Sequence, residues 1–278
     1  MNAPVVAIAS ASAATVAHSR PFVKLNSVSL SFGGPNGLLA LDRVSIEVSD
    51  GEFAAVVGPS GCGKSTLMKL VAGLLPPSSG TVSVDGNLVT QPIKCVGMAF
   101  QNSTLMPWRN TLHNVMLPLE IVQPFKRERR QRYDEHKARA ERLLQAVGLG
   151  DFGSQYPWQL SGGMQQRANL CRALVHEPKL LMLDEPFASL DAFTREELWT
   201  IMQDLWLRQK FSAILVSHDL REAVFLADTV YVLSKRPGTV ICRKRVDVPR
   251  PRTIANSFEP HFVDIVHELR DEIMQARA

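Results

Sequence analysis

Gly58-Pro59-Ser60-Gly61-Cys62-Gly63-Lys64-Ser65-Thr66 is the stretch on which the reading of this chain turns. It is spelled G-x-x-x-x-G-K-[ST], a loop that cradles phosphate. Glycines let the backbone curl so that successive N–H groups point inward and form an anion nest. Lys64 adds a cation for the β- and γ-phosphates. Ser65 offers a hydroxyl to Mg²⁺ and opens a helix whose first N–H groups also face the anion. The flanks agree: Phe53-Ala54-Ala55-Val56-Val57 reads as a buried strand, and residues 66–72 read as a helix. Cys62 occupies a variable position of the loop, where a thiol is a candidate target for thiol reagents.

The 278 residues suffice for one large domain or for a core with a subdomain. An apolar fraction of 45% and a charged fraction of 21% fit a globular protein. The net charge of +4 is too mild to argue for a nucleic-acid partner. Cys62, Cys95, Cys171 and Cys242 form no C-x-x-C pair, which argues against structural zinc and a disulfide framework. No stretch has the length of a transmembrane helix. The Ala-, Ser- and Val-rich start lacks a positive n-region, so residues 1–20 read as a disordered tail rather than a signal peptide.

Partial alternation of apolar residues marks strands from Phe22 to Phe32 and over residues 41–48, with Val44, Ile46 and Val48 on one side. Gly33-Gly34-Pro35-Asn36-Gly37 reads as the turn between them. Further strands are expected at residues 81–84 and 96–100, the latter ending in Gln101. The pattern then becomes helical. Leu112, Val115, Met116 and Leu119 share one helix face, and Ala140, Leu143, Leu144 and Val147 another. Between them, Lys126-Arg127-Glu128-Arg129-Arg130-Gln131-Arg132 reads as a solvated helix face, or as an anion or lipid-headgroup site. The α/β pattern returns with strands at residues 180–183, 213–216, 229–233 and 239–246, and a last helix face runs from Phe262 to Ile273.

Three further signals complement the loop. Asp184-Glu185 follows an apolar strand; Asp184 can hold Mg²⁺ and Glu185 can polarise an attacking water. Leu160-Ser161-Gly162-Gly163-Met164 opens a helix, with Ser161 as N-cap and free N–H groups forming a second anion site. Ser217-His218-Asp219 follows another strand. Two phosphate sites on one such chain make sense if one belongs to a facing copy.

The ordered set of phosphate loop, Gln101, Leu160 to Met164, Leu181-Met182-Leu183-Asp184-Glu185-Pro186, Ser189-Leu190-Asp191 and His218 resembles the ATP-binding cassette (ABC) ATPases. The resemblance covers residues 22–246. It implies an α/β P-loop core with an antiparallel β subdomain and an inserted helical subdomain at about 104–162, within an ATPase domain over 21–250 and before a helical extension over 251–278. It implies ATP held by Phe32 on adenine and by Gly58, Pro59, Ser60, Gly61, Cys62, Gly63, Lys64, Ser65 and Thr66. Mg²⁺ falls to Ser65, Gln101 and Asp184, and catalysis to Glu185, His218 and Gln101. Ser161, Gly162 and Gly163 would contact ATP on a second copy, and Asp191 would join the two sites. Met164 stands where the commonest family signature has Gln, so a side-chain amide contact is lost.

The lone cassette looks like an importer ATPase rather than a fused exporter, a double-cassette translation factor or a chromosome-maintenance ATPase. Leu105-Met106-Pro107-Trp108, Tyr156-Pro157, Glu185 to Asp191 and Glu222 to Asp228 resemble the nitrate/sulfonate/taurine importers; thiamine-precursor importers look similar. That resemblance implies a homodimer peripheral on the cytoplasmic face of a bacterial inner membrane, a permease partner, an indirect external solute-binding protein and no nucleic acid. Leu105, Met106 and Trp108 suit either a partner groove or the core. A non-transport ATPase of this fold and an ATP-holding regulator remain alternatives.

Overall fold

The computed structural model describes residues 20–33 and 37–276. The expected tail, apart from Arg20, and the middle of the expected turn at Gly33 to Gly37 lie outside the described residues. The strands are β1 (Val23–Phe32), β2 (Leu38–Val48), β3 (Phe53–Val57), β4 (Ser79–Val84), β5 (Asn87–Leu88), β6 (Val96–Phe100), β7 (Leu180–Asp184), β8 (Ser212–Ser217), β9 (Thr229–Leu233) and β10 (Val240–Arg245). The α-helices are α1 (Lys64–Val71), α2 (Thr111–Met116), α3 (Phe125–Glu128), α4 (Tyr133–Ala146), α5 (Gly162–Leu174), α6 (Ala192–Gln209), α7 (Leu220–Leu226) and α8 (Pro260–Gln275).

Two sheets organise these elements. One, in the order β2-β1-β4-β5, is antiparallel throughout. The other has the order β10-β9-β3-β8-β7-β6; β9, β3, β8, β7 and β6 run parallel and β10 closes the edge antiparallel. This is the α/β class expected, with its antiparallel sheet and helical insertion.

The central strands read as unbroken apolar runs because both faces of the parallel sheet are covered. Their period of two is still visible in what each residue touches. Phe53, Ala55, Val57, Leu181, Leu183, Ala213 and Leu215 join one core with α5, α6, α7 and α8. Ala54, Val56, Leu180, Met182, Ile214 and Val216 join a second core with α1 and the antiparallel sheet. Apolar residues of the helical insertion, among them Val115, Leu119, Leu144 and Val147, belong to the first core. So do Phe262, Ile265 and Leu269 of α8.

Two local expectations are corrected. The helix expected to carry Leu112 through Leu119 ends at Met116 and continues as a 3₁₀ turn, Leu117–Glu120. Pro118 has no N–H to donate to the preceding turn, so the α pattern stops there while Leu119 still reaches the core. The basic run is not one helix face either: α3 ends at Glu128, and the chain turns before α4. Arg132 is held there by Glu128 and Glu135, and Arg129 by Glu120.

Asn114 anchors the loop that enters the insertion. It is fully buried. Its amide donates to the carbonyls of Met106, Arg109 and Asn110 at 3.0, 2.9 and 3.1 Å, and its Oδ1 accepts from Met106 N–H at 2.6 Å. Asn114→Ala would strand these groups without water. The expected loss is about 2–4 kcal/mol of unfolding free energy in a denaturant titration.

Candidate active site

Strand register builds the site. Val57 of β3 pairs with Ser217 of β8, Val216 of β8 with Asp184 of β7, and Asp184 with Phe100 of β6. The four parallel strands therefore release the phosphate loop, His218, Glu185 and Gln101 side by side at their carboxyl ends, where open α/β sheets bind ligands. Separate motifs in sequence become neighbours through this pairing.

The loop is shaped to receive phosphate. Gly61 and Gly63 take φ of +77° and +104°, in the left-handed region that favours glycine. A Cβ on Gly63 would lie 2.6 Å from Leu41 Cδ2, whereas one on Gly61 would meet nothing within 4 Å. Lys64 is buried; its ammonium donates to the carbonyls of Gly58 at 2.8 Å and Pro59 at 3.1 Å, and Glu185 Oε1 lies 3.9 Å away. A cavity of about 250 Å³ opens beside it, lined by Phe32, Ser60, Gly61, Gly63, Lys64, Ser65, Thr66, Glu185 and Arg236, among others. Phe32 is 44% exposed, an aromatic face at the cavity rather than a core residue. Cys62 is 1% exposed, and burial pushes its thiol up, which shields it from thiol reagents.

The acidic pair is placed differently residue by residue. Ser65 Oγ donates to Asp184 Oδ1 at 3.1 Å, so a hydroxyl and a carboxylate converge as hard oxygen donors suited to Mg²⁺. Burial raises the Asp184 pKa, against the Ser65 hydrogen bond and Lys64, which lower it. Glu185 adopts φ of +47°. A side chain in that region carries strain that accumulates at functional positions. The turn sets its carboxylate between Lys64 and His218, whose Nδ1 lies 3.1 Å from Glu185 Oε2.

The residues expected to form a second anion site lie elsewhere on the surface, around a separate cavity. Ser161 caps α5 by accepting from Met164 N–H at 3.3 Å, and Asp191 caps α6 by accepting from Thr194 N–H at 3.0 Å. Backbone and side-chain hydrogen bonds from Thr194 hold the Asp191 carboxyl below its usual range. Both residues line a cavity of about 620 Å³ with Gly162, Gly163, Arg167 and Thr194. Gly163 is needed for packing, since a Cβ would lie 2.7 Å from Thr194 Cγ2. Gly162 answers no steric demand from the described residues: none of their atoms lies within 4 Å of a Cβ there. The two cavities share no lining residue.

Several contributing residues escaped the sequence reading. Gln166, Asn169 and Arg172 lie at i, i+3 and i+6 along α5 and hold the loop after β6. Gln166 donates to the Gln101 carbonyl, Asn169 to Phe100 O at 3.2 Å, and Arg172 to Ser103 O at 2.7 Å and Thr104 O at 2.9 Å. Arg236 reaches the loop cavity from the β9–β10 turn. For the three on α5 the sequence signal is a polar stripe on a partly buried helix. Of the candidate partner residues, Leu105 is buried while Trp108 is 72% exposed; nearby, Tyr156 and Trp158 stack at 4.6 Å.

A phosphate loop, an acidic strand end, a histidine at the next strand end and a serine-capped glycine pair at a helix start together mark an ATP-binding cassette. The chain belongs to the ABC transporter family, whose pattern matches residues 41–188. It is an ATPase of the kind coupled to transport. It is 38% identical over 257 residues to the taurine import ATP-binding protein TauB of Rhizobium johnstonii, across 89% of this chain and 95% of that one. It is 41% identical over 245 residues to the nitrate import ATP-binding protein NrtD of a Synechocystis strain, across 86% and 90%. The solved ATP-binding cassette MJ0796, a dimer in a post-hydrolysis state bound to ADP and Pi, superposes with a TM-score of 0.68 at 28% identity. That match covers 82% of this chain and 100% of the other.

One buried acid lies behind the switch. Glu222 accepts from Ser217 Oγ at 3.0 Å, and burial pushes its carboxyl from 4.5 up to about 8. Native Glu222 thus keeps its proton where the unfolded chain has lost it. The stability it supplies is full below about 4.5 and is lost as pH rises toward about 8. Glu222→Gln should remove that decline from unfolding free energies measured between those pH values.

Proposed function

We propose that this chain is the ATP-hydrolysing subunit of a bacterial importer for a small anion of the nitrate, sulfonate or taurine type. The relatives TauB and NrtD support the solute class and the uptake direction. The observation that carries the mechanism is the strand register that releases the Lys64 loop, Asp184, Glu185, His218 and Gln101 side by side at the carboxyl ends of adjacent strands.

Phe32 stacks on the adenine, and residues 58–66 wrap the phosphates. Lys64 exchanges the Gly58 and Pro59 carbonyls for β- and γ-phosphate oxygens, a charge-assisted contact stronger than the ones it leaves. Ser65, Asp184 and Gln101 would hold Mg²⁺. That ion supplies charge neutralisation at the phosphates. Glu185 accepts the proton of the attacking water as the bond to the γ-phosphorus forms and the bond to the leaving ADP oxygen breaks. His218 orients Glu185 and donates to the γ-phosphate, a fixed donor aimed at developing charge.

The other wall of the site comes from a second copy. Ser161, Gly162 and Gly163 meet the phosphates of the partner's ATP, and the open surface over Gly162 is where the ligand enters. Asp191 lies in the same cavity and joins the two sites. Through Gln166, Asn169 and Arg172, closure against the partner's ATP also pulls on the Gln101 loop. The exposed Trp108 and the Tyr156–Trp158 stack suit a cytoplasmic helix of a membrane permease, which an external binding protein loads with solute. This places the chain on the inner face of the bacterial inner membrane; no helix among the described residues is long and apolar enough to cross it.

Two substitutions test the reading. Glu185→Gln should cut phosphate release by about a hundredfold or more while ATP binding persists; wild-type turnover in that variant refutes the assignment. Ser161→Arg should spare ATP binding by the monomer and abolish both ATP-dependent dimerisation, followed by light scattering, and hydrolysis. Normal turnover there refutes the shared site.

A further inference from the structure

The segment between β10 and α8 carries a buried guanidinium that the reaction does not use. Arg252 is 2% exposed, and among the described residues its hydrogen-bond partners are backbone carbonyls rather than a carboxylate. It donates through Nη1 to the carbonyls of Val224 at 2.6 Å, Phe225 at 3.1 Å and Ala227 at 2.7 Å, at the C-terminal end of α7. Nε donates to Val248 O at 3.1 Å. Carbonyls ending a helix lack intrahelical donors, so a buried cation there satisfies several at once. The cost of burying it shows in its pKa, pushed down to about 9 by desolvation, with Arg250 adding to the fall.

The same segment grips the other helix of the switch region. Gln203 of α6 donates to Arg252 O at 2.8 Å and accepts from Arg252 N–H at 2.8 Å. Arg250 binds Asp228 at 2.9 Å and lies 4.4 Å from the centre of the Trp206 ring on α6. Further along, buried Ser257 accepts from Arg221 at 3.0 Å, and Arg221 belongs to the first turn of α7. Residues 250–257 therefore hold α7 at both ends.

What α7 carries makes this matter. Its N-cap is Asp219, next to His218; Asp219 Oδ1 accepts from Arg221 N–H at 2.9 Å and Glu222 N–H at 3.2 Å. Asp219 Oδ2 accepts from Arg195 of α6 at 3.1 Å, and Arg195 also donates to Leu190 O at 3.0 Å, beside Asp191. The switch histidine and the coupling aspartate thus stand at the front of two helices that are clamped together at the back.

We infer that residues 250–257 are a brace for the catalytic switch, with Arg252 as a positioning residue that fixes His218 against Glu185 by holding α7 rigid against α6. The inference rests on the hydrolytic reading of the site. A displacement of about 1 Å at a reacting group costs on the order of a hundredfold in rate, which is the lever such a brace acts on.

The test uses the full chain. Arg252→Met should lower kcat for ATP hydrolysis by about tenfold to a hundredfold while KM for ATP stays within about twofold, because the phosphate loop is untouched. Amide hydrogen exchange should quicken at residues 219–223, and Arg252→Lys, which keeps the charge without the fork, should recover part of kcat. A fall in kcat matched by a rise in KM, unchanged kcat, or unaltered exchange in α7 overturns the inference. If Arg252→Met does not fold, Arg221→Met at the half-exposed end of α7 decides: it should show the same split at a few-fold, and wild-type kcat there overturns the brace. A wild-type chain that binds ATP but releases no phosphate sinks the hydrolytic reading instead, and hydrogen exchange alone then judges the brace.

Discussion

The parallel pairing of β3, β8, β7 and β6 is the constraint on which the rest depends. Each strand is short, and each is held in register by backbone hydrogen bonds to its neighbour. Side chains alternate between two cores on opposite faces, so a slip of one residue would send Phe53, Ala55 and Val57 into the core built for Ala54 and Val56. The register is thus fixed by packing far from the ligand. Its by-product is that four loops leave the sheet at one level, and four separate motifs become neighbours at the carboxyl edge of the sheet.

Helices then connect these loops to the cavity lined by Ser161 to Gly163 and Asp191. The N-terminus of α5 carries Ser161, and its flank holds the loop of Gln101 through Gln166, Asn169 and Arg172. The N-terminus of α6 carries Asp191, and Arg195 ties it to the cap of α7 beside His218. Each of the two connections runs through one helix and a few part-buried polar contacts. Physical coupling of this kind needs no long pathway, only helices that move as units.

Much of this was legible in the sequence, and the limits have physical causes. Strands and long helices announced themselves through apolar periodicity, and the phosphate loop through its glycines, because local steric rules act within a few residues. The end of α2 was misread because a helical pattern of apolar residues outlasted the helix: Pro118 broke the backbone while Leu119 kept its place in the core. Gln166, Asn169, Arg172, Gln203 and Arg252 gave no signal of comparable strength. Their partners are backbone carbonyls up to 69 residues away, as between Asn169 and Phe100, and a carbonyl has the same spelling in every residue. The sequence also treated Leu105, Met106 and Trp108 as one group, whereas the turn pinned by Asn114 buries the first and exposes the last.

The electrostatics of Lys64 explain how the phosphate loop holds a buried cation without neutralising it. A buried ammonium costs several kcal/mol unless it is compensated. Here the compensation is two loop carbonyls, with the Glu185 carboxylate held back at 3.9 Å. Had Lys64 formed a close ion pair with Glu185, each would have neutralised the other, and a phosphate would have to displace a charge rather than a dipole. The left-handed turn at Glu185 keeps its carboxylate within hydrogen-bond reach of His218 instead. The cavity at the loop is lined by Lys64 and the curled loop, whereas Ser161 to Gly163 line a different cavity of the same chain. The loop so built satisfies the buried Lys64 ammonium with its own carbonyls, dipoles that an incoming phosphate displaces more readily than a paired charge.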